Sequence, residues 1–201
     1  DRYASRGLGD VYKRQEFASF YNDLGVDVTI VEALPSILPN EDTDISKIVK
    51  LNFEKRGIKI RTNSALKSVS SKENSVLAEI ITNKKVETIN SEKLILAIGI
   101  IANTEKLGLK DFNVKIDKGH IVTNEFLETD EKGVYAIGDI TDGPWLAHKA
   151  SHEGILCVEK IAGHQNLKPI DKTSIPGCTY CRPQVASIGM TETQARSKNL
   201  N

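Results

Sequence analysis

The sequence predicts an α/β protein, and three features carry that prediction. In "EFASFYNDLGVDVTIVE" an apolar-faced helix runs into an apolar strand that stops at an acid. Further on, "TNKK" separates the alternating segments "SVLAEII" and "VETIN", and "AIGD" ends another apolar run just ahead of a helix. Strands alternating with helices imply a parallel sheet, and the alternating pair implies a meander beside it.

Taken in order, residues 1–15, "DRYASRGLGDVYKRQ", have neither helical nor alternating apolar periodicity and no cap before the segment they adjoin. They read as a non-native leader. From Glu16 a helix presents Phe17, Phe20, Tyr21 and Leu24 on one face and stops at Gly25, and "VDVTIVE" follows as a buried strand. A second helix from about Thr43 shows Ile45, Ile48, Val49 and Phe53, closes at Gly57 and leads into the strand "IKI". After the meander, "EKLILAIG" reads as a fully buried strand. Residues 104–140 are strand-rich and irregular and end in "GVYAIGDI". The helix "PWLAHKASHEGILCVEKIAG" has Pro144 suited to its first turn and an apolar face of Leu146, Ala150, Cys157, Val158 and Ile161. Beyond a linker, "IPGCTYCRPQVASIGMTETQARSKNL" reads as two strands and the start of a helix, too few elements to enclose their own core.

Bulk composition narrows the function. Of 201 residues 39% are hydrophobic, enough for real cores, while 27 basic and 27 acidic residues cancel. No basic cluster calls for nucleic acid or a membrane surface. No apolar run approaches the roughly 20 residues that cross a bilayer, and the expected location is the cytoplasm. Three cysteines are too few for a disulfide framework.

Glu32 ends its strand where a Rossmann unit places the acid that accepts hydrogen bonds from the adenosine ribose of NAD and repels a 2′-phosphate. Its plainer role is a solvated strand-end carboxylate. Counting a G-x-G-x-x-G-x-E pattern back from Glu16 puts the phosphate-loop glycines at Gly9, Val11 and Arg14, of which one is glycine. Side chains at the other two stand where a dinucleotide needs bare backbone. Asp139 follows Gly138 at a strand end, where it could grip ribityl hydroxyls or form an ordinary turn. The helix after it offers N-terminal amides to an electron-rich ring. The "CTYC" spacing of Cys178 and Cys181 invites redox or metal chemistry, but strand positions three apart face opposite sides and no second ligand pair follows; the expectation is structural thiols and no metal. His148 is a candidate base or a backbone contact, and His120, His152 and His164 are expected at the surface.

Together, "EFASFYNDLGVDVTIVEALPSILPNEDTDISK", "LILAIGIIANTEKLGL", "GVYAIGDITDGPWLAHKASHEGI" and "IPGCTYCRPQVASIGMTE" resemble the flavoprotein disulfide oxidoreductases, and within them the dihydrolipoamide dehydrogenase branch. The resemblance runs from Glu16 to the C-terminus. It implies the central portion of a longer enzyme: an NAD-binding domain over 16–105, the returning part of an FAD-binding domain over 106–172, and the first strands of an α+β dimerisation domain over 173–201. It implies that Glu16 pairs with a lysine beside the flavin N5, that Glu32 holds the NAD ribose and that Gly99 lies by the nicotinamide. Asp139 would hold the FAD ribityl chain, and Leu146, Ala147 and His148 would present amides to the flavin and its phosphates. The implied reaction passes reducing equivalents from dihydrolipoamide, on the lipoyl carrier of a 2-oxo acid dehydrogenase complex or the glycine cleavage system, through FAD to NAD+ in a homodimer. The family's "GRRPNT" is "GIIANT" at 99–104, and no C-x4-C redox pair or C-terminal His-Glu base has a counterpart, so this chain alone is expected to be inactive. Glutathione and mercuric reductases share the scaffold but use NADP, which Glu32 disfavours. A non-catalytic nucleotide-binding module is the alternative from another class.

Overall fold

A computed structural model describes residues 11–200, so ten of the fifteen expected leader residues, Gly9 among them, lie outside the described residues. The described residues divide into two compact units, one formed by residues 11–98 with 176–200, the other by 99–175.

The first unit opens with α1 (Val11–Asp23), five residues ahead of its expected start. Tertiary contacts lengthen this helix where periodicity gave no sign of it: Gln15 is fully buried and its Nε2 donates to the Ile37 carbonyl. The helix is also turned from its expected orientation. Ala18 and Ser19 are buried, whereas Phe17, Phe20, Tyr21 and Leu24 are exposed, with Phe20 and Tyr21 packed edge to face. Small side chains let the helix approach its neighbours closely. Ala18 thereby joins a core with Ile30, Ile37, Leu38, Val49 and Phe53.

Strand β1 (Thr29–Val31) pairs in parallel with β2 (Lys59–Arg61), Ile30 opposite Ile60, across α2 (Thr43–Lys55). That is the expected βαβ order. Helix α2 is capped by Asp42, closes through Gly57 at φ 90°, and buries Ser46, Val49 and Phe53. Ile45 and Ile48, expected on that face, are exposed: a helix against a two-stranded sheet buries a narrow stripe, and Val49 and Phe53 fill it.

The meander forms as expected. Strands β3 (Ser64–Ser71), β4 (Val76–Thr82) and β5 (Lys85–Ser91) are antiparallel in sequence order. Asn83 and Lys84, at φ 50° and 65°, make the tight turn between Thr82 and Lys85. The expected buried strand at 92–99 is not formed, and Leu94, Ile95, Leu96 and Ile98 are exposed. A parallel strand needs a laddered neighbour; among the described residues β1 and β2 pair only with each other.

At its far end β8 (Gly177–Thr179) pairs antiparallel with β9 (Val185–Ser187), followed by α4 (Glu192–Ser197), as the sequence predicts. A side chain at Gly177 would meet the Tyr12 hydroxyl at 3.3 Å, so glycine there makes room for α1. Cys181 is buried, and that burial, reinforced by the Glu16 carboxylate, pushes its thiol up to about 11.

The second unit is held by short pairings: β6 (Ile116–Asp117) with β7 (His120–Ile121), and single bridges Ile121 to Thr141 and Glu128 to Tyr135. The run before Gly138 therefore forms one bridge in place of the expected strand. Helix α3 spans Ala147–Ile161. Pro144 falls outside it, because the Leu146 N–H turns back to the Pro144 carbonyl at 3.1 Å and the first helical bond runs from the Ala150 N–H to the Leu146 carbonyl. The buried face of α3 also differs from expectation. Val158 and Ile161 are exposed, and beside Leu156 and Cys157 the helix buries Lys149 and Glu153. His120, expected at the surface, is half-buried and meets Trp145 edge to face, ring centroids 5.8 Å apart.

Lys149 Nζ lies 3.0 Å from Glu153 Oε1, the Gly138 carbonyl and Thr141 Oγ1, which satisfies its three protons. Glu153 Oε2 accepts the Gly138 N–H at 2.6 Å. One buried ion pair thus holds both ends of Gly138. Trp145 is the chain's single tryptophan, so its fluorescence reports this unit. Lys149→Met should lower the unfolding free energy of that transition in urea by about 3–5 kcal/mol, because it strands a buried carboxylate; Lys149→Met with Glu153→Leu should recover most of the loss. Thiol titration at pH 8 should show Cys178 reacting fast while Cys157 and Cys181, both buried with thiols pushed up mainly by burial, react only as the chain unfolds.

Candidate functional site: two buried carboxylates at chain turns

The first candidate site begins at the end of β1. Glu32 continues the parallel ladder by one residue, its N–H donating to the Arg61 carbonyl at 2.8 Å and its carbonyl accepting from the Ser64 N–H at 2.9 Å. The backbone is pinned on both sides, which fixes where the side chain leaves the sheet. That side chain is 3% exposed, so the solvated strand-end carboxylate is excluded. Oε1 accepts from the Leu34 N–H at 2.8 Å, and Oε2 lies 2.6 Å from an Arg14 guanidinium nitrogen. The Arg14 contact is an ion pair out of hydrogen-bond alignment: Glu32 Oε2 and Arg14 Nε are both buried without a hydrogen-bond partner. A carboxylate at the carboxyl end of parallel strands suits ribose hydroxyls. Here a cation covers it.

Arg14 and Leu34 are the participants that sequence reasoning missed. Arg14 stands at the third glycine position of the expected phosphate loop; its pairing depends on the helix beginning early, for which no local signal exists. Leu34 contributes only its amide, which sequence does not distinguish.

The second site is the turn Gly138–Ile140. Gly138 has φ 77°, and a side chain there would meet the Ala150 Cβ at 3.3 Å, so the turn needs glycine. The Lys149–Glu153 clamp fixes the peptide and leaves Asp139 exposed. This buried pair was also missed, although its i,i+4 spacing is visible in the sequence. Helix α3 starts without a side-chain cap, with Ala147 and His148 exposed in its first turn. Of the predicted trio, Leu146 donates its amide to the Pro144 carbonyl, and Ala147 and His148 stand in the first turn of α3. A polyol beside Asp139 and an anion at the opening turn of α3 fit this arrangement.

The other predicted positions are placed separately. Glu16 is half-buried on α1, and its Oε1 accepts the Tyr180 N–H at 2.9 Å. Gly99 is exposed with φ 153°. Cys178 lies in β8, and Cys181, past its end, turns its thiol to the Pro183 carbonyl. Among the described residues no group of three His, Cys, Asp or Glu side chains could hold a metal, and no helix is long and apolar enough to cross a membrane.

Comparison with known proteins places these features in a wider setting. The family model described as pyridine nucleotide-disulphide oxidoreductase matches residues 15–154. The dihydrolipoyl dehydrogenase of Rhizobium etli is 49% identical over 182 residues, covering 90% of this chain and 38% of that protein. The dihydrolipoyl dehydrogenase of Zymomonas mobilis is 47% identical over 187 residues, covering 92% and 40%. The chain therefore spans about two fifths of the length of these curated relatives. Among solved structures, LpdA of Mycobacterium tuberculosis superposes with a TM-score of 0.84 at 26% identity, covering 92% of this chain and 39% of that one. The HOCl-induced flavoprotein disulfide reductase RclA of Escherichia coli gives 0.83 at 26% identity, covering 94% and 43%. With a family match over more than two thirds of its residues and the same α/β architecture, the chain belongs to the pyridine nucleotide-disulphide oxidoreductase family.

Proposed function

We propose that this chain is the nucleotide-binding middle of an FAD-dependent dihydrolipoyl dehydrogenase, acting with NAD. The observation that carries the NAD half is Glu32, a carboxylate held at the carboxyl end of β1 with its backbone locked on both sides. Support for the enzyme comes from relatives of that name at 49% and 47% identity and from four family segments in the expected order.

In this reading the donor is dihydrolipoamide on a lipoyl carrier domain of a 2-oxo acid dehydrogenase complex or the glycine cleavage system. Its two thiols give up two electrons and two protons and close to a disulfide; NAD+ takes up a hydride and one proton is released. FAD, when bound, supplies the relay of that electron pair. The chain's own residues orient and exclude. With FAD bound, Asp139 would accept from ribityl hydroxyls, the Lys149–Glu153 clamp would keep Gly138 close enough for that contact, and the first turn of α3 at Ala147 and His148 would lie on the flavin side. Gly99 lets the nicotinamide end approach, and Glu32 accepts from the adenosine ribose. Glu16 is assigned beside the flavin and would exchange its Tyr180 contact for a lysine partner. The intact enzyme works as a cytoplasmic homodimer, with the dimer domain opening near residue 173. No C-x4-C pair occurs in the 201 residues, so the redox disulfide is assigned to other parts of the enzyme.

Purified as it stands, the 201-residue chain should show no visible flavin absorbance and bind NAD+ weakly; an FAD-loaded preparation would count against this reading. Val11→Gly with Arg14→Gly completes the phosphate-loop glycines and should tighten NAD+ at least about tenfold by calorimetry. Adding Glu32→Arg to that chain should move the preference to NADP+. Equal binding of both nucleotides, unaffected by Glu32→Arg, would show that position 32 does not read the ribose.

A further inference from the structure

Helix α1 carries a polar stripe that neither candidate site uses. The spacing of Glu16, Ser19 and Asp23 puts them on one side of the helix. The turn between β8 and β9 is bonded to that side. The Tyr180 N–H donates to Glu16 Oε1 at 2.9 Å, and the Arg182 N–H donates to Ser19 Oγ at 3.0 Å. Arg56, the residue that closes α2, ties the two segments together. Its Nη1 donates to the Arg182 carbonyl at 2.8 Å and to Ser19 Oγ at 3.2 Å, while its Nη2 donates to Asp23 Oδ1 at 2.6 Å and to the Ser19 carbonyl at 3.5 Å. Every terminal N–H of the guanidinium therefore has an acceptor, and the Arg182 peptide is held at both its N–H and its carbonyl. Asn22 Nδ2 donates to the Arg56 carbonyl at 3.3 Å, which fixes where that side chain starts. Cys181, in the middle of the turn, is buried; beyond the effect of burial its thiol is pushed up by the Glu16 carboxylate and drawn down by the Arg56 guanidinium, so both charges lie around it.

A single amide on a loose turn would release a carboxylate easily. Here the turn is pinned two residues further on, so freeing Glu16 from Tyr180 means moving the turn as a whole. From this we infer that Arg56 is a positioning residue for Glu16: by pinning the turn to α1 it sets how firmly the Tyr180 amide holds the carboxylate, and so how readily Glu16 changes partner to a primary ammonium group such as a lysine's. Arginine suits the task because its planar fork meets acceptors on both segments at once. The inference rests on the reading of Glu16 as an acid that exchanges this contact for a lysine, and the test separates the two.

The probe is n-butylammonium chloride, a soluble stand-in for a lysine side chain, compared with sodium chloride at equal ionic strength. The Tyr180 amide resonance of the full 201-residue chain reports release of Glu16, and unchanged Val49 and Phe53 amides show that each variant is folded. In the unmodified chain the ammonium salt should shift Tyr180 where sodium does not, and Glu16→Gln should abolish that response. Arg56→Met should bring the shift on at about fivefold lower ammonium concentration, as loss of one hydrogen bond holding the turn implies. Ser19→Ala should act in the same direction while leaving the charge in place, and Arg56→Lys, which keeps the charge but not the fork, should fall between Arg56→Met and the unmodified chain. The inference is overturned alone if the response is the same in the unmodified chain, Arg56→Met and Ser19→Ala, or if only Arg56→Met gains, since that gain would be the removed charge and not the position of the turn. Should Tyr180 ignore the ammonium salt in every chain, the partner exchange read for Glu16 falls, and the inference with it.

Discussion

A carboxylate cannot be taken out of water without partners, and that constraint shapes both candidate sites. Glu32 and Glu153 are each almost fully buried, and each is bound to the main-chain amide of a turn: Leu34 after β1, and Gly138 ahead of α3. In both cases a cation completes the arrangement, Arg14 at 2.6 Å and Lys149 at 3.0 Å. The two differ in how complete they are. Lys149 has an acceptor for every proton, whereas the Arg14–Glu32 contact leaves a buried atom on each side unbonded. The first arrangement is a structural clamp; the second retains polar capacity for a ligand.

The physical chemistry of the turns follows from these anchors. Gly138 is held by its N–H and its carbonyl at once, which keeps a left-handed turn in place and leaves Asp139 free to face outward. A side chain at Gly143 would come within 3.0 Å of the Lys149 Cε, so the approach to α3 is also shaped around the buried lysine. At the other site, the carboxylate position is fixed by the parallel ladder between β1 and β2 rather than by a flexible loop. Rigid backbone beneath an acid is what recognition of sugar hydroxyls needs.

Much of the fold was legible because it follows short-range rules. The βαβ order came from apolar periodicity and the β4–β5 turn from Asn83 and Lys84. What escaped depends on tertiary partners. The orientation of α1 is decided by close approach through Ala18 and Ser19, which outweighs its more apolar face; Ile45 and Ile48 are excluded by the narrow stripe that Val49 and Phe53 already fill. The segment 92–99 looks like a buried strand in sequence, yet strand formation belongs to a pair, and no laddered neighbour is present among the described residues. For the sites, Glu32, Gly138 and Asp139 were visible as strand-end acids and a turn glycine. Arg14 was invisible because it lies in a stretch without periodicity, and the Lys149–Glu153 pair was overlooked because charges are expected outside a helix.

The most direct measurement of the central claim, that the adenosine ribose is read at Glu32, is amide chemical-shift mapping of the Val11→Gly/Arg14→Gly chain as ADP-ribose is added. The account predicts that the largest shifts fall on Glu32 and Leu34, with the Leu34 proton moving as its carboxylate partner takes up ribose hydroxyls. Saturable shifts confined to other segments, with Glu32 and Leu34 unmoved, would contradict it.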